Sequence, residues 1–384
     1  MNATPTTDNQ TAPTPVRVIF FGMTGAFSRA PLLVLLDARE GAHNADAPPI
    51  EVCAVVLPTL AGMATPRVLR PDANDPHPPF VRLDRQAGIG KPQRASLARL
   101  PMAGPSAGAW QALSGKRVGA AMKARHQNII EMATARNIPI FEVARLDDPR
   151  TLAALASFAP DVICVACFSR RLPPALLRLP RLGCLNVHPS LLPVNRGPDP
   201  LFWTFHAGAT STGVTIHLMD ERLDTGPIVL QQRVSIAEGI GEAALESQLA
   251  GLGGELLTRA VAGLATGALQ PRPQDDAHAT TYPWPSDEDY VITADWSAER
   301  AYRFACGVGA RPQFVTLVAA DGARFLVVEA LGYTDGANQI VRDADHALAP
   351  NDAWALRDDH LWLRCSPGVL QARVAPDDEM ADVS

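Results

Sequence analysis

Residues 185–197 read LNVHPSLLPVNRG and place Asn186 and His188 two apart at the end of an apolar run, just before a loop stiffened by Pro189 and Pro193. In a strand, residues i and i+2 point to the same face, so an amide and an imidazole are presented together to one site. A third polar residue, Asp224, follows in ERLDTGPIV. An amide can donate to an oxyanion, an imidazole can donate or take a proton, and a carboxylate can steady the imidazole's charge or pass protons through water. No Ser or Cys follows an apolar strand in a nucleophile-elbow arrangement, since the one G-x-S-x-G match, GPSAG at 104–108, falls in a Pro-, Gly- and Arg-rich stretch, and this favours direct acyl transfer over a covalent enzyme intermediate. Taken singly, each residue also reads as a turn former or a satisfied structural group, and only the joint placement beside a proline-bounded loop points to a site. His217, in GVTIHLMD, is a secondary site-facing candidate.

These residues need a scaffold, and the apolar runs supply one. VRVIFFG at 16–22 is β-branched and aromatic and closes on a glycine; MTGAFS then turns into APLLVLLDAR, whose leucines recur at helical spacing. IEVCAVVLP at 50–58 is apolar on both faces, as strands of parallel sheets are. HQNIIEMATARNIPIFEV reads as a helix ending near Asn137 and a short strand, and DDPRTLAALASFAPDVICVACF as a helix capped by Asp147 or Asp148 and a strand over 162–168. CLNVH is a further strand, GVTIHLMD and PIVLQQRVSI suggest an antiparallel pair extending the sheet, and a helix is expected around 243–265. This pattern predicts an α/β fold with a Rossmann-like parallel sheet, whose ligands bind outside the carboxyl ends of the strands, where Asn186 and His188 lie. After the proline-rich GALQPRPQDDAHATTYPWPSDED, the run ADWSAERAYRFACGVG looks helical, and FVTLVAA, ARFLVVEALGY and HLWLRC read as short strands. That suits a smaller C-terminal β-barrel-like domain.

With 384 residues, 47% apolar and 19% charged, the chain can bury a full core, and its length suggests two or three domains. No apolar stretch approaches the roughly eighteen residues of a membrane span. The opening MNATPTTDNQTAPTP is neither basic nor apolar, so residues 1–15 are expected to be a disordered tail and the protein cytoplasmic, with no membrane partner. The six cysteines stand among apolar neighbours; Cys164 and Cys167, three apart on a strand, put their sulfurs on opposite faces, so buried reduced thiols are expected and a metal site is not.

The formal charge of −6 is unevenly spread. Over 58–127 eleven bases (Arg67, Arg70, Arg82, Arg85, Lys91, Arg94, Arg99, Lys116, Arg117, Lys123, Arg125) face three acids (Asp72, Asp75, Asp84), a balance of +8. Over 285–384 eight arginines face seventeen acids, a balance of −9. The Pro-, Gly- and Arg-rich stretch over about 59–119 has no clean period and is expected to be an insertion; its charge could clasp a nucleic acid by neutralising phosphates.

NVHPSLLPVNRG together with STGVTIHLMDERLDTGPIV resembles the folate-dependent formyltransferase family, over residues 16–273 with the insertion interrupting the likeness. The resemblance implies a formyltransferase fold, 10-formyltetrahydrofolate as co-substrate and no metal. It implies Asn186, His188 and Asp224 as the catalytic trio, and Ser190, Leu191, Leu192 and Pro193 as the lining of the folate site. A primary amine would attack the formyl carbon, giving a tetrahedral intermediate that expels tetrahydrofolate. In that reaction Asn186 holds the formyl oxygen, His188 stabilises the oxyanion and Asp224 moves protons. On this reading 16–268 is the catalytic domain with the insertion about 59–119, 269–288 a linker, 289–376 a β-rich C-terminal domain and 377–384 a tail.

LATGALQPRPQDDAHATTY and the later ADWS are similar to the junction and domain start of members that formylate methionyl-tRNA, so initiator methionyl-tRNA is the expected macromolecular partner, with the folate as the small one. Three features depart from that pattern. The C-terminal region is acidic where those members are basic. VNRGPDPLFW, with Asn195 and Trp203, is also similar to sugar-amine formyltransferases. Arg170 and Arg171 in FSRRLP replace small or apolar residues and could pair with a phosphate or the glutamate tail of folate. A sugar-amine N-formyltransferase is therefore the alternative reading. A folate- or nucleotide-binding protein without catalysis, using FFGMTGAFS, is the lesser one, since G-x-G-x-x-G is absent. The motifs leave the oligomeric state unknown.

Overall fold

The computed structural model describes residues 14–38, 47–58, 67–69, 128–335, 339–340, 348–349 and 351–375. Residues 1–13 and 377–384 of the expected tails, and the basic insertion apart from one three-residue strand, lie outside the described residues. Strands β1 (Val16–Gly22) and β2 (Ile50–Pro58) pair in parallel near the middle of an eight-stranded sheet. It is completed by β3 (Arg67–Leu69), β4 (Ile140–Val143), β5 (Val162–Ala166), β6 (Cys184–His188), β7 (Ser211–Leu218) and β8 (Ile228–Ser235), in the order β3-β4-β2-β1-β5-β6-β7-β8. From β4 through β6 every pairing is parallel; β3 at one edge and β7 and β8 at the other are antiparallel. Both faces of β1 are covered, which is why all of VRVIFFG but Arg17 is buried and no polar alternation shows.

The intervening helices are α1 (Ala26–Asp37), α2 (Ile129–Thr134), α3 (Pro149–Ala156), α4 (Pro174–Leu177), α5 (Pro200–His206) and α6 (Glu242–Ala265). On one face, α1 and α6 pack Leu32, Leu35, Leu249 and Leu257 over Val18 and Phe20. Their backbones approach closely at Gly254, where a Cβ would sit 2.8 Å from Val34 Cγ2. On the other face, α3 and α4 contribute Leu155 and Leu176 over Ile19, Phe21 and Val165. That second apolar cover reaches Cys184 at the start of β6 and stops. The next two residues on the same face are Asn186 and His188, so the sheet goes on past its helices with a polar surface.

Local boundaries follow backbone stereochemistry. The strand expected over 162–168 ends at Ala166 because Cys167 takes φ 54, a left-handed conformation that breaks the ladder. That turn also leaves Cys167 exposed, against the expectation of buried thiols that Cys53, Cys164, Cys184 and Cys365 meet. Helix α2 ends at Thr134 and unwinds through to Asn137 at φ 55, with Ile138 N–H closing on Ala133 O at 2.9 Å. Of the two candidate caps for α3 it is Asp148 that accepts from Arg150 N–H, at 2.8 Å, while Asp147 pairs with Arg145.

The second sheet contains β9 (Val291–Thr293), β10 (Thr316–Val318), β11 (Arg324–Thr334), β12 (Gln339–Ile340), β13 (Trp354–Arg357), β14 (His360–Arg364) and β15 (Val369–Val374). The order is β13-β14-β15-β11-β10-β9 with β12 on β11, antiparallel except for β9 and β10. Helix α7 (Ala298–Val308) lies between this sheet and α5. Gly307 makes the contact possible, since a Cβ there would stand 2.3 Å from the Phe205 ring, and Phe304 meets Phe202 edge-on at 5.5 Å between centroids.

Just past α7, Arg311 clasps the first domain. It donates to both oxygens of Asp199 (2.6 and 2.9 Å), the N-cap of α5, and to both oxygens of Glu242 at the start of α6. The three side chains are only 15%, 11% and 23% exposed, so removing the cation strands two poorly solvated carboxylates. Arg311→Ala is expected to cost about 3–5 kcal/mol and to lower the thermal midpoint by on the order of 5–10 °C. Calorimetry checks this, and an unchanged midpoint would show that the clasp adds nothing.

Candidate active site

β6 and β7 set the site by register. Asn186 pairs with His217 and His188 with Thr215, so four polar side chains form one patch on the face that the helices leave uncovered. Thr215 anchors the loop that follows β6: its Oγ1 donates to Ser190 O at 2.6 Å and accepts from Leu192 N–H at 3.1 Å. Gln231, on β8, adds bonds from Nε2 to Leu192 O and Thr215 Oγ1, both 2.8 Å. Within that loop Ser190 donates to Val194 O at 2.6 Å, and Ser190 and Leu192 turn inward with 1% and 2% exposure. Leu191 packs over Gly213, while Val194 stands 42% exposed. Of the four residues expected to line the folate site, then, Leu191 and Pro193 are the half-buried ones.

Asp224 comes from the loop between β7 and β8 and brings its carboxylate to both histidines. Its Oδ2 lies 3.7 Å from His188 Nδ1 and accepts from Gly197 N–H at 2.9 Å, and its Oδ1 lies 3.6 Å from His217 Nε2. Asn186, His188 and Asp224 are therefore brought together, and His217 joins them. The backbone decides the tautomers. His188 Nε2–H donates to Asn195 O at 2.9 Å, and His217 Nδ1–H donates to Leu218 O at 2.9 Å. His188 Nδ1 is thus left facing Asp224, and His217 Nε2 stands 3.2 Å from Asn186 Nδ2.

A proton arriving at His188 Nδ1 would be held by the carboxylate facing it. Burial pushes the His188 pKa below its ordinary value, with Asp224 partly opposing, so the ring is neutral at pH 7. For Asp224 burial works against ionisation, but the neighbouring His188 and His217 and the Gly197 N–H outweigh it and hold the carboxyl at about 2. The pairing is a fixed base beside a neutral proton acceptor, closed off from water at 7% and 4% exposure.

The stretch 269–288, expected as a linker, crosses this site in bonded form. Gln274 Nε2 donates to Asp224 O and Gly226 O, both at 2.8 Å, and its Oε1 accepts from Arg196 Nε and Nη2 at 3.1 and 2.8 Å. Arg196 N–H donates to Thr280 O and Arg196 O accepts from Tyr282 N–H. Tyr282 stacks on Trp203 at 4.4 Å, and Trp203 Nε1–H donates to Pro283 O. Gln274, Gly197, Thr215 and Gln231 escaped sequence reasoning. For Thr215 the alternation of GVTIHLMD carried a signal; for Gln274, in a proline-rich polar stretch, none existed. Arg170, singled out from FSRRLP, donates to Ala144 O, and Arg171 is exposed.

Among the described residues no cluster of His, Cys, Asp or Glu is arranged to hold a metal ion, and no helix is long and apolar enough to cross a membrane. What the fold and site define is a mostly parallel α/β domain with a half-buried amide beside a buried imidazole and carboxylate at the carboxyl end of a strand, flanked by a second, mostly antiparallel sheet.

Residues 111–261 match the family model described as Formyl transferase. A methionyl-tRNA formyltransferase from Synechococcus sp. (strain JA-3-3Ab) is 46% identical over 145 residues, 38% of this chain and 45% of that protein. Another from Myxococcus xanthus (strain DK1622) is 43% identical over 144 residues, 38% of this chain and 46% of that protein. The match thus spans less than half the length of these curated relatives. Among solved structures, the N-formyltransferase from Helicobacter canadensis with folinic acid and dTDP-3-aminofucose aligns at TM-score 0.54 and 10% identity over 94% of this chain and 100% of its own. The sugar 3N-formyl transferase WlaRD, with dTDP and 5-N-formyl-THF, aligns at TM-score 0.54 and 11% identity over 94% and 98%. Both likenesses establish the fold.

Proposed function

We propose that this protein transfers a formyl group from 10-formyltetrahydrofolate to a primary amine, that of methionyl-tRNA. The observation that carries the reading is the buried Asp224 carboxylate set against His188 Nδ1 beside the Asn186 amide. The amine lone pair attacks the formyl carbon and the carbonyl π pair moves onto oxygen, where Asn186 Nδ2–H donates to it and the proton that His188 Nδ1 takes up sets a positive charge nearby. The ammonium proton passes to the Asp224 and His188 pair and returns to the folate nitrogen as its bond to carbon breaks. The products are an N-formyl amine and tetrahydrofolate. Leu191, Pro193 and the exposed Val194 would meet the folate, with Ser190 and Leu192 holding the loop from beneath. Relatives that carry the methionyl-tRNA name support this acceptor, as does the basic stretch over 58–127.

One observation favours a second acceptor: the balance of −9 over 285–384 repels tRNA phosphate, and sugar N-formyltransferases share the fold over 94% of the chain. Incubation with 10-formyltetrahydrofolate and either methionyl-tRNA or a nucleotide-linked amino sugar, followed by product mass, decides between them. Formyl-methionyl-tRNA with binding that weakens as salt rises is the expected result. Formylation of neither amine would sink the reading.

A further inference from the structure

We infer that Gln274 is a positioning residue for Asp224, so that the chain leaving α6 completes the site as well as joining the two sheets. This rests on the formyl-transfer reading only for its kinetic consequence. The geometry is a closed circuit of hydrogen bonds. The Asp224 carboxylate accepts from Gly197 N–H; Gly197 follows Arg196; the Arg196 guanidinium donates twice to Gln274 Oε1; and Gln274 Nε2 donates to Asp224 O.

A primary amide has two hydrogens and two acceptor lone pairs, and Gln274 uses all four, its second hydrogen going to Gly226 O at 2.8 Å. The two carbonyls it holds flank Thr225, in a turn where Asp224 itself takes φ 56 and where a Cβ at Gly226 would lie 1.8 Å from Leu218 O. A turn bent that tightly stays in place only if its surroundings over-determine it. Arg196, at 6% exposure, is fixed from its other side by Asp276 at 2.6 Å and along its backbone by Thr280 and Tyr282, so it cannot follow if Gln274 moves. No other residue type makes these four bonds. Glutamate keeps the pairing with Arg196 but sets an anion against two carbonyl oxygens, and methionine keeps the length with neither donor nor acceptor.

The test compares Gln274→Glu and Gln274→Met with wild type and with Gln270→Ala, an exposed position of the same stretch whose amide reaches only Gly267 O. Cooperative unfolding shows which variants fold, and methionine serves if glutamate does not. Kinetically, kcat falls by about tenfold to a hundredfold while the KM for 10-formyltetrahydrofolate stays within about threefold, because the residue touches no substrate. The acid limb of the rate profile moves to higher pH, since a carboxyl that loses the Gly197 N–H is protonated more easily.

A second readout needs no turnover. The His188 imidazole, which faces Asp224 from one loop and His217 from β7, is titrated by NMR. With Asp224 displaced it loses the charge that favours protonation, and its midpoint drops. Gln270→Ala leaves both readouts at wild-type values. A folded Gln274 variant with kcat within about twofold of wild type, or with an unmoved His188 midpoint, overturns the inference. If the wild-type protein formylates no amine, the functional reading fails and the His188 midpoint alone decides the circuit.

Discussion

Asp224→Asn is expected to lower formyl transfer by roughly two to four decades while the protein stays folded. The carboxamide is the same size and can still accept from Gly197 N–H, so the loop keeps its shape. An uncharged amide, however, no longer holds a proton arriving at His188 Nδ1, which removes the base. His188→Ala, which deletes the group that receives the proton, is expected to lose a comparable factor.

Acid stability separates loss of chemistry from loss of fold. The Asp224 pKa is depressed from 3.8 to about 2, so its ionised form adds roughly 2 kcal/mol of stability, present above 3.8 and lost as pH falls through about 2. His188 acts higher up. Its folded pKa lies below 6.5, so the unfolded chain binds that proton first and stability declines as pH drops below 6.5. Urea unfolding at pH 7, 5 and 3 should show both components in wild type and only the His188 component in Asp224→Asn. Near-normal turnover in the asparagine variant would refute the assignment of the base.

Gly197→Ala is expected to be strongly damaging, costing about 2–5 kcal/mol of stability and on the order of a hundredfold in kcat. The residue takes φ 128, a conformation L side chains rarely adopt, and its Cβ would come 2.1 Å from Tyr282 O. Neither neighbour can yield cheaply. Tyr282 is stacked on Trp203 and bonded to Arg196, and moving Gly197 withdraws its N–H from Asp224. Gly251→Ala, where a Cβ meets nothing within 4 Å, is the control and should be neutral. A Gly197→Ala protein with wild-type urea midpoint and rate would mean that Tyr282 and the crossing segment are looser than their contacts imply.

Much of the first sheet was legible because its signals are local. VRVIFFG and IEVCAVVLP are continuous apolar runs bounded by Gly22 and Pro58, and β1 and β2 end at those residues. The shared face of Asn186 and His188 follows from the two-residue period of a strand, whatever the strand pairs with. Short strands such as β9, β13 and β15 were not legible, since three to six residues carry too little periodicity to stand out from a loop. His217 showed its residue type but not its partner. That it faces Asn186 depends on the register between β6 and β7, which joins residues 31 apart.

The polar cluster is thus divided between two kinds of information. From the sequence alone come the candidate residue types, the strand face that presents two of them and the turn that carries the third. Which of their atoms face one another was settled only by tertiary packing. Asp224 reaches Gly197 across 27 positions, and Gln274 reaches Asp224 across 50. A hydrogen bond is made or lost within a few tenths of an ångström around 3 Å. No local pattern of residue types encodes a distance that fine between segments so far apart, and it comes into being only when the chain beyond α6 returns across the sheet.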